Sequence, residues 1–327
     1  MSKKTFCFAL CVMILALSFP AEAQQAGKVY RIGYLSRASA QAYRRQLAAF
    51  RQGMRELGYS ERKNIVIEER YAVGRNERLP ELAAELVRLK VDIIVVHGGQ
   101  VARATQQVSK VIPIVFAIAA DPVGMGVVAS FARPGGNVTG LSDFHGDLTS
   151  KRLEILKEIV PSASRVAVLW NPDTRTHVLQ LKDLQAVAPA LGVALLPLEV
   201  RGPDGFDRAF AAIRKDRPDA LNVFGGPLNT RHLRQIADFA LKSRLPAIYT
   251  IRKFPDVGGL MSYGTNFDAL YRRAAYYVDK ILRGTKSADL PVEVPTKFDL
   301  VINLKTAKQI GLTIPPGVLF RADKVIK

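Results

Sequence analysis

The chain has 327 residues, of which 48% are hydrophobic and 23% charged, with a formal net charge of +18 and two cysteines. Such a composition excludes a disordered chain, which lacks the apolar residues for a core, and a small disulfide-stapled scaffold. A chain of this length buries about three quarters of its unfolded surface and usually divides into two domains.

Residues 1–23 come first. Lys3 and Lys4 precede an apolar run from Phe6 to Phe19, Pro20 breaks it, and Ala21-Glu22-Ala23 supplies a small-x-small cleavage pattern. This is the layout of a secretory signal peptide, with cleavage expected after Ala23. The run is too short to cross a bilayer comfortably, which takes about 20 residues. Phe8-Ala9-Leu10 before Cys11 is a poor lipobox. Cys7 and Cys11 both leave with the signal, so the mature chain has no cysteine and keeps a charge of about +17. The expected product is soluble, periplasmic and stabilised by burial alone.

The mature chain alternates strands and helices. In the first half, VYRIGYL (29–35) reads as a strand, and Tyr43, Leu47, Phe50, Met54 and Leu57 stripe a helix that Gly58 ends. NIVIEERY (64–71) is a partly exposed strand. Leu79, Leu82, Leu86 and Leu89 stripe a second helix, and VDIIVV (91–96) is a strand covered on both faces. A short helix over 100–109, a buried strand IPIVFAIA (112–119), a short helix over 123–131 and a strand NVTGLS (137–142) complete the half.

The second half repeats the rhythm. A helix over 151–160 leads to a strand RVAVLW (165–170), then a helix striped by Val178, Leu181, Leu184, Val187 and Leu191. The strand VALLPLEV (193–200), a helix (206–215), the strand DALNVF (219–224), a helix (232–243) and the strands PAIYT (246–250) and GGLMSYG (258–264) follow. A long helix from Asp268 to Leu282 stops at Gly284. Alternation of this kind makes parallel sheets with helices on both faces. The fold class is therefore α/β, with two Rossmann-like lobes. The join lies near 141–149. Lobe 1 takes residues 24–142 plus about 262–297, and lobe 2 takes 143–261 plus about 298–327.

In open parallel sheets, ligands bind beyond the carboxyl ends of the strands. In the first lobe those ends are Ser36, His97-Gly98-Gly99 and Asp121-Pro122-Val123; in the second they are Asn171, Gly225-Gly226, Tyr249 and Tyr263. Glycine admits a ligand to the backbone, and a following helix offers free N–H groups. Such residues also serve plain turns, and Asp121-Pro122 equally caps a helix. Tyr34, Trp170 and Tyr263 are candidates for stacking on a ligand.

Other chemistry is poorly supported. His97, His145, His177 and His232 show no metal-ligand spacing, and neither a GxSxG elbow nor a phosphate-binding loop occurs. No cofactor, metal or catalytic residue is expected. The basic residues, among them Arg44, Arg45, Arg51, Arg55, Arg201, Arg208, Arg214, Arg272 and Arg273, are dispersed, with no nucleic-acid-binding motif. No nucleic-acid partner is expected.

Four runs carry a resemblance: IPIVFAIAADPVGMGVVASFARPGGNVTGLS (112–142), KRLEILKEIVPSASRVAVLWNPD (151–173), RLPAIYTIRKFPDVGGLMSYGTN (244–266) and the stretch from RRAAYYVDKILRG to FRADKVI (272–326). Together they resemble the tryptophan/tyrosine transporter binding-protein family, the substrate-binding proteins of ATP-driven ABC importers. The resemblance implies a type I-like periplasmic binding protein, a hinge of crossing strands, a small-molecule ligand such as an amino acid, and a membrane permease as partner of a monomeric receptor. It implies cleft roles for Ser36, Asp121, Pro122, Val123, Asn171 and Tyr263: Asp121 and Ser36 hold polar ends of the ligand, Asn171 adds an amide and Tyr263 an aromatic wall. Two departures from the family's pattern, His97-Gly98 where relatives often carry Thr-Pro, and Arg175 with His177 after Asn171, favour a more polar or more acidic ligand. A sensor for a membrane signalling protein and a hydrolytic enzyme on the same scaffold are the alternatives.

Overall fold

The computed structural model describes residues 28–143, 146–295 and 298–327. The expected signal peptide 1–23, His145 and the middle of the expected join lie outside them. In the first lobe, β1 (Tyr30–Ser36), α1 (Ala40–Glu56), β2 (Ile65–Tyr71), α2 (Leu79–Arg88), β3 (Ile93–His97), α3 (Gly99–Val108), β4 (Ile114–Ala119) and β5 (Val138–Ser142) alternate as the apolar periodicity requires. The strands form a five-stranded parallel sheet in the order β2-β1-β3-β4-β5.

The second lobe begins with α4 (Gly146–Ile159), β6 (Arg165–Trp170), α5 (Arg175–Val187), β7 (Ala194–Glu199), α6 (Gly205–Asp216) and β8 (Ala220–Val223). It continues through α7 (Pro227–Arg231), α8 (Leu233–Lys242), β9 (Ala247–Tyr249), α9 (Lys253–Asp256) and β10 (Met261–Thr265). The chain then returns to the first lobe for α10 (Phe267–Leu282), and comes back as β11 (Phe298–Asn303), α11 (Leu304–Gln309), α12 (Pro316–Phe320) and β12 (Lys324–Ile326). The second sheet has seven strands in the order β12-β11-β10-β9-β8-β6-β7, and within it β11 runs antiparallel to β10.

Both faces of each sheet are covered. In the first lobe Ile32, Tyr34, Ile93 and Val95 pack with Phe50 and Met54 of α1 and with Tyr271 and Ala275 of α10, while Leu35, Ile94 and Val96 pack with Leu82, Leu86 and Val101 of α2 and α3. In the second, Val166, Val168 and Ile248 face Leu153 and Leu156 of α4, and Leu169, Leu221 and Val223 face Phe206, Phe210 and Ile236 of α6 and α8. Strands buried on both faces explain the continuous apolar runs of β3, β4 and β6.

Two expectations need correction. The helix expected over 123–131 is a succession of turns. The Asp121 side chain accepts from the Gly124 N–H, and Gly126 adopts φ +66°, a left-handed conformation that interrupts a helix. The return to the first lobe, expected near 262, comes after Thr265, because Met261–Thr265 pairs with β9 and β11 in the second sheet. The chain crosses between lobes after Ser142, after Thr265 and before Phe298. The first and third crossings touch: Leu141 and Glu293 form a parallel bridge, with Ser142 N–H donating to Glu293 O at 2.8 Å.

Close approach of α1 and α10 fixes the helical face of the first lobe. A Cβ on Gly53 would lie 2.7 Å from the Arg272 carbonyl oxygen and 2.8 Å from the Ala275 Cβ. Gly53→Val is expected to destabilise the protein by about 1–3 kcal/mol through overpacking, read as a lower midpoint in urea. An unchanged midpoint would show that the two helices separate without cost.

Candidate functional site

Two polar contacts place the carboxyl ends of the two sheets opposite each other. Arg175 Nε at the start of α5 lies 3.0 Å from Asp121 Oδ2 beyond β4. Lys253 Nζ of α9 donates to the Ala42 carbonyl in the first turn of α1, at 3.3 Å. Residues that follow β1 and β4 in one lobe thus meet residues that follow β6 and β9 in the other.

On the first-lobe side, Asp121 is held by its own turn. Its Oδ1 accepts from Gly124 N–H at 2.8 Å, leaving Oδ2 to face Arg175. Pro122 is buried and Val123 is 40% exposed. Gly98 has φ +96°, which suits glycine and lets the chain turn sharply from β3 into α3. Ser36 is fully buried, and its Oγ accepts from Ala38 N–H at 3.2 Å, so its hydroxyl closes the β1–α1 turn.

His97 is the centre of an aromatic cluster. Its Nδ1 lies 2.7 Å from the Tyr271 hydroxyl, which lies 3.2 Å from the Tyr34 hydroxyl. The Tyr43 ring lies against the imidazole, with centroids 3.9 Å apart. Burial lowers the His97 pKa to about 3, and the Arg37 and Lys253 cations push in the same direction. The imidazole is therefore neutral at any physiological pH. Tyr34 is fully buried, so it supports this cluster and offers no ring to a ligand.

On the second-lobe side, His177 ties two strand-end loops together. Asn171 N–H donates to His177 Nδ1 at 2.9 Å, which leaves Nε2 as the donor to the Gly225 carbonyl at 2.5 Å. Burial lowers the His177 pKa, in keeping with this neutral form. The sequence places His177 at the rim as a ligand-class signal; the structure buries it as a brace. Asn171 turns its Oδ1 to Asp173 N–H at 2.8 Å. Tyr263, in the middle of β10, is half-buried, with its carbonyl accepting from Arg152 Nη1 at 3.1 Å. Trp170 is half-buried and packs against the core of the second lobe, as Tyr263 does. Tyr249 is fully buried and stacked on Phe254 at 4.1 Å.

Tyr43, Tyr271, Arg37 and Lys253 surround His97 at the strand ends, although no motif marks them. Tyr43 and Tyr271 have the spacing of helix-core residues. Only the departure of Tyr43 from helical geometry (φ −118°, ψ 16°), which kinks α1, sets it apart. Among the described residues no group of three His, Cys, Asp or Glu side chains is placed to hold a metal ion, and no helix is long and apolar enough to cross a membrane.

The profile of the family described as ABC transporter substrate binding protein matches residues 32–326. The chain belongs to that family. It is 25% identical over 263 residues to the tyrosine-binding protein of Clostridioides difficile (strain R20291), an alignment that spans 80% of this chain and 75% of that protein. A conserved domain protein from Vibrio cholerae superposes with a TM-score of 0.81 at 28% identity, covering 91% of this chain and all of the other. An ABC domain from Streptococcus pneumoniae solved with L-Trp has the same score and coverage at 24% identity, a likeness of fold. The molecule is thus a substrate-binding protein of the ABC transporter class, with the two-lobed α/β architecture of type I-like periplasmic binding proteins.

The first crossing carries a titratable group. Burial raises the Asp143 pKa to about 6, and its Oδ1 is buried without a hydrogen-bond partner among the described residues. Below about pH 4 the carboxyl is protonated both folded and unfolded. Between about pH 4 and 6 the unfolded chain ionises first, so stability falls as pH rises through that window and stays lower above it. Asp143→Asn is expected to be more stable than wild type at pH 7.5, by on the order of 2 kcal/mol, and to lose that advantage at pH 4. Thermal melts at both pH values check this; an advantage that persists unchanged at pH 4 contradicts it.

Proposed function

We propose that the protein is an extracytoplasmic receptor that captures a zwitterionic small molecule, an amino acid or a close relative, between its lobes and delivers it to the permease of an ABC importer. The observation that carries this reading is the opposition of Asp121 and Arg175. One lobe presents a carboxylate and the other a guanidinium, and a ligand with an ammonium and a carboxylate pairs with both once the lobes part to admit it. The direct pair is a weak competitor. The Arg175 side chain is 70% exposed, and pairs of that kind contribute about 0–1 kcal/mol. Ligand contacts from both sides favour the closed arrangement of the lobes, which is the state a permease distinguishes from the open one.

The tyrosine-binding relative and the L-Trp complex support an amino acid as the ligand class. Gly98, Gly225 and Asn171 supply strand-end backbone and amide groups around it, and Tyr263 a half-buried ring. The signal peptide at residues 1–23 sends the protein to the periplasm, where it acts as a monomer and without catalysis. His177 spends both ring nitrogens on backbone groups, and His97 is bonded to a tyrosine. Neither is set against a serine, threonine or cysteine nucleophile.

Native mass spectrometry of freshly purified protein, followed by calorimetric titration with L-tyrosine, L-tryptophan and L-leucine, tests the reading. Asp121→Asn is expected to weaken binding about tenfold or more for free amino acids but not for their N-acetyl forms, and Arg175→Gln to do the same for free carboxylates but not for amides. Absence of heat with every amino acid, or equal losses for blocked and free forms, would refute it. The N-terminus of protein recovered from a periplasmic extract is expected to be Gln24.

A further inference from the structure

We propose that His97 is the specificity-determining residue of the cleft: its Nε2–H is a fixed donor that selects ligands carrying a hydrogen-bond acceptor at the end remote from their ammonium and carboxylate. This rests on the amino-acid reading above. The protons along a buried chain of polar groups decide the tautomer. Ser36, Tyr34, Tyr271 and His97 form that chain: the Ser36 hydroxyl bonds to Tyr34 Oη, Tyr34 Oη lies 3.2 Å from Tyr271 Oη, and Tyr271 Oη lies 2.7 Å from His97 Nδ1. Ser36 and both tyrosines are fully buried, and Ser36 Oγ already accepts from Ala38 N–H.

If His97 donated from Nδ1, Tyr271 would donate to Tyr34 and Tyr34 to Ser36, and the fully buried Ser36 proton would have no acceptor among the described residues, which is costly. In the opposite sense Ser36 donates to Tyr34, Tyr34 to Tyr271 and Tyr271 to Nδ1, and every buried proton is used. Only this direction satisfies the chain, and it places the imidazole proton on Nε2. That atom has no partner among the described residues.

The donor is held in place and in charge state. Tyr43 lies against the ring with centroids 3.9 Å apart and planes tilted by 32°, and the Tyr271 hydrogen bond fixes its rotation. Arg37 and Lys253, the second from the opposite lobe, are the cations that act on it. No carboxylate acts on it in opposition, so the imidazole stays neutral and keeps one N–H. A ligand group arriving here meets a single donor flanked by positive charge. An oxygen acceptor, such as a hydroxyl, amide carbonyl or carboxylate, fits that wall, whereas an ammonium or an aliphatic tip leaves the donor unpaired. Sites built around a buried donor reject analogues that lack the acceptor far more strongly than apolar pockets reject a missing methylene.

The test uses matched pairs as probes, L-tyrosine against L-phenylalanine and L-glutamine against L-norleucine, titrated into wild type, His97→Phe and Tyr271→Phe. In wild type the acceptor-bearing member of at least one pair is expected to bind about tenfold tighter or better, and His97→Phe, which keeps the aromatic stack, is expected to bring that ratio near one. Nitrogen-15 spectra of the ligand-free wild type are expected to show His97 protonated at Nε2 and bare at Nδ1, with tautomer exchange appearing in Tyr271→Phe. If amino acids bind but the ratios are the same in wild type and His97→Phe, the selectivity role is wrong while the receptor reading stands. A proton found on Nδ1 overturns the proposal even where a variant fails to fold, and no binding by any of the four probes overturns both readings.

Discussion

In both sheets the strands are buried on two faces, so side chains along their length are committed to packing and only the strand ends are left for polar chemistry. Parallel strands send all of those ends to one edge. Set edge to edge, the two sheets bring Asp121, His97 and Ala42 of one lobe toward Arg175 and Lys253 of the other. The return of the chain to the first lobe after Thr265 is part of the same constraint. The face of the first sheet that α1 leaves open is closed by α10, a helix made more than 120 residues later in the sequence.

The electrostatics of the site follow from burial rather than from net charge. Most of the formal +18 lies on dispersed surface residues, many paired with carboxylates, such as Arg272 with Glu56 and Arg273 with Glu293. Near the strand ends the ionisable groups divide into two kinds. His97 and His177 are kept neutral by desolvation, the first bonded to a tyrosine hydroxyl and the second bracing two strand-end loops. Asp121 and Arg175 keep partial access to solvent and oppose each other across the lobes. Under the proposed reading such a site binds by complementary fixed groups, and its selectivity does not need a change of protonation.

Much of the architecture was legible in the chain. Continuous apolar runs gave β3, β4 and β6, helical stripes gave α1, α2 and α5, and Gly284 marked the end of α10. The segment 123–131 misled because its apolar residues have a helical spacing while Gly124 and Gly126 favour turns, and the Asp121 side chain stabilises the turn. The strand-end rule located His97, Asp121 and Asn171. It did not tell a ligand-facing group from a turn-closing one: Ser36 and Asn171 both use side-chain oxygens on neighbouring backbone N–H groups, and Trp170 packs against a core.

By itself the sequence determined the alternation of elements, the two-lobed class and the polar strand ends, because periodicity and breaking residues act over a few neighbours. Tertiary structure alone decided which of those ends matter together. Tyr271 stands 174 positions from the His97 nitrogen it holds, and Asp121 meets Arg175 only because two separately formed sheets face each other. No local pattern encodes such pairs, since they depend on where the chain crosses between lobes and not on the spacing of residues along it.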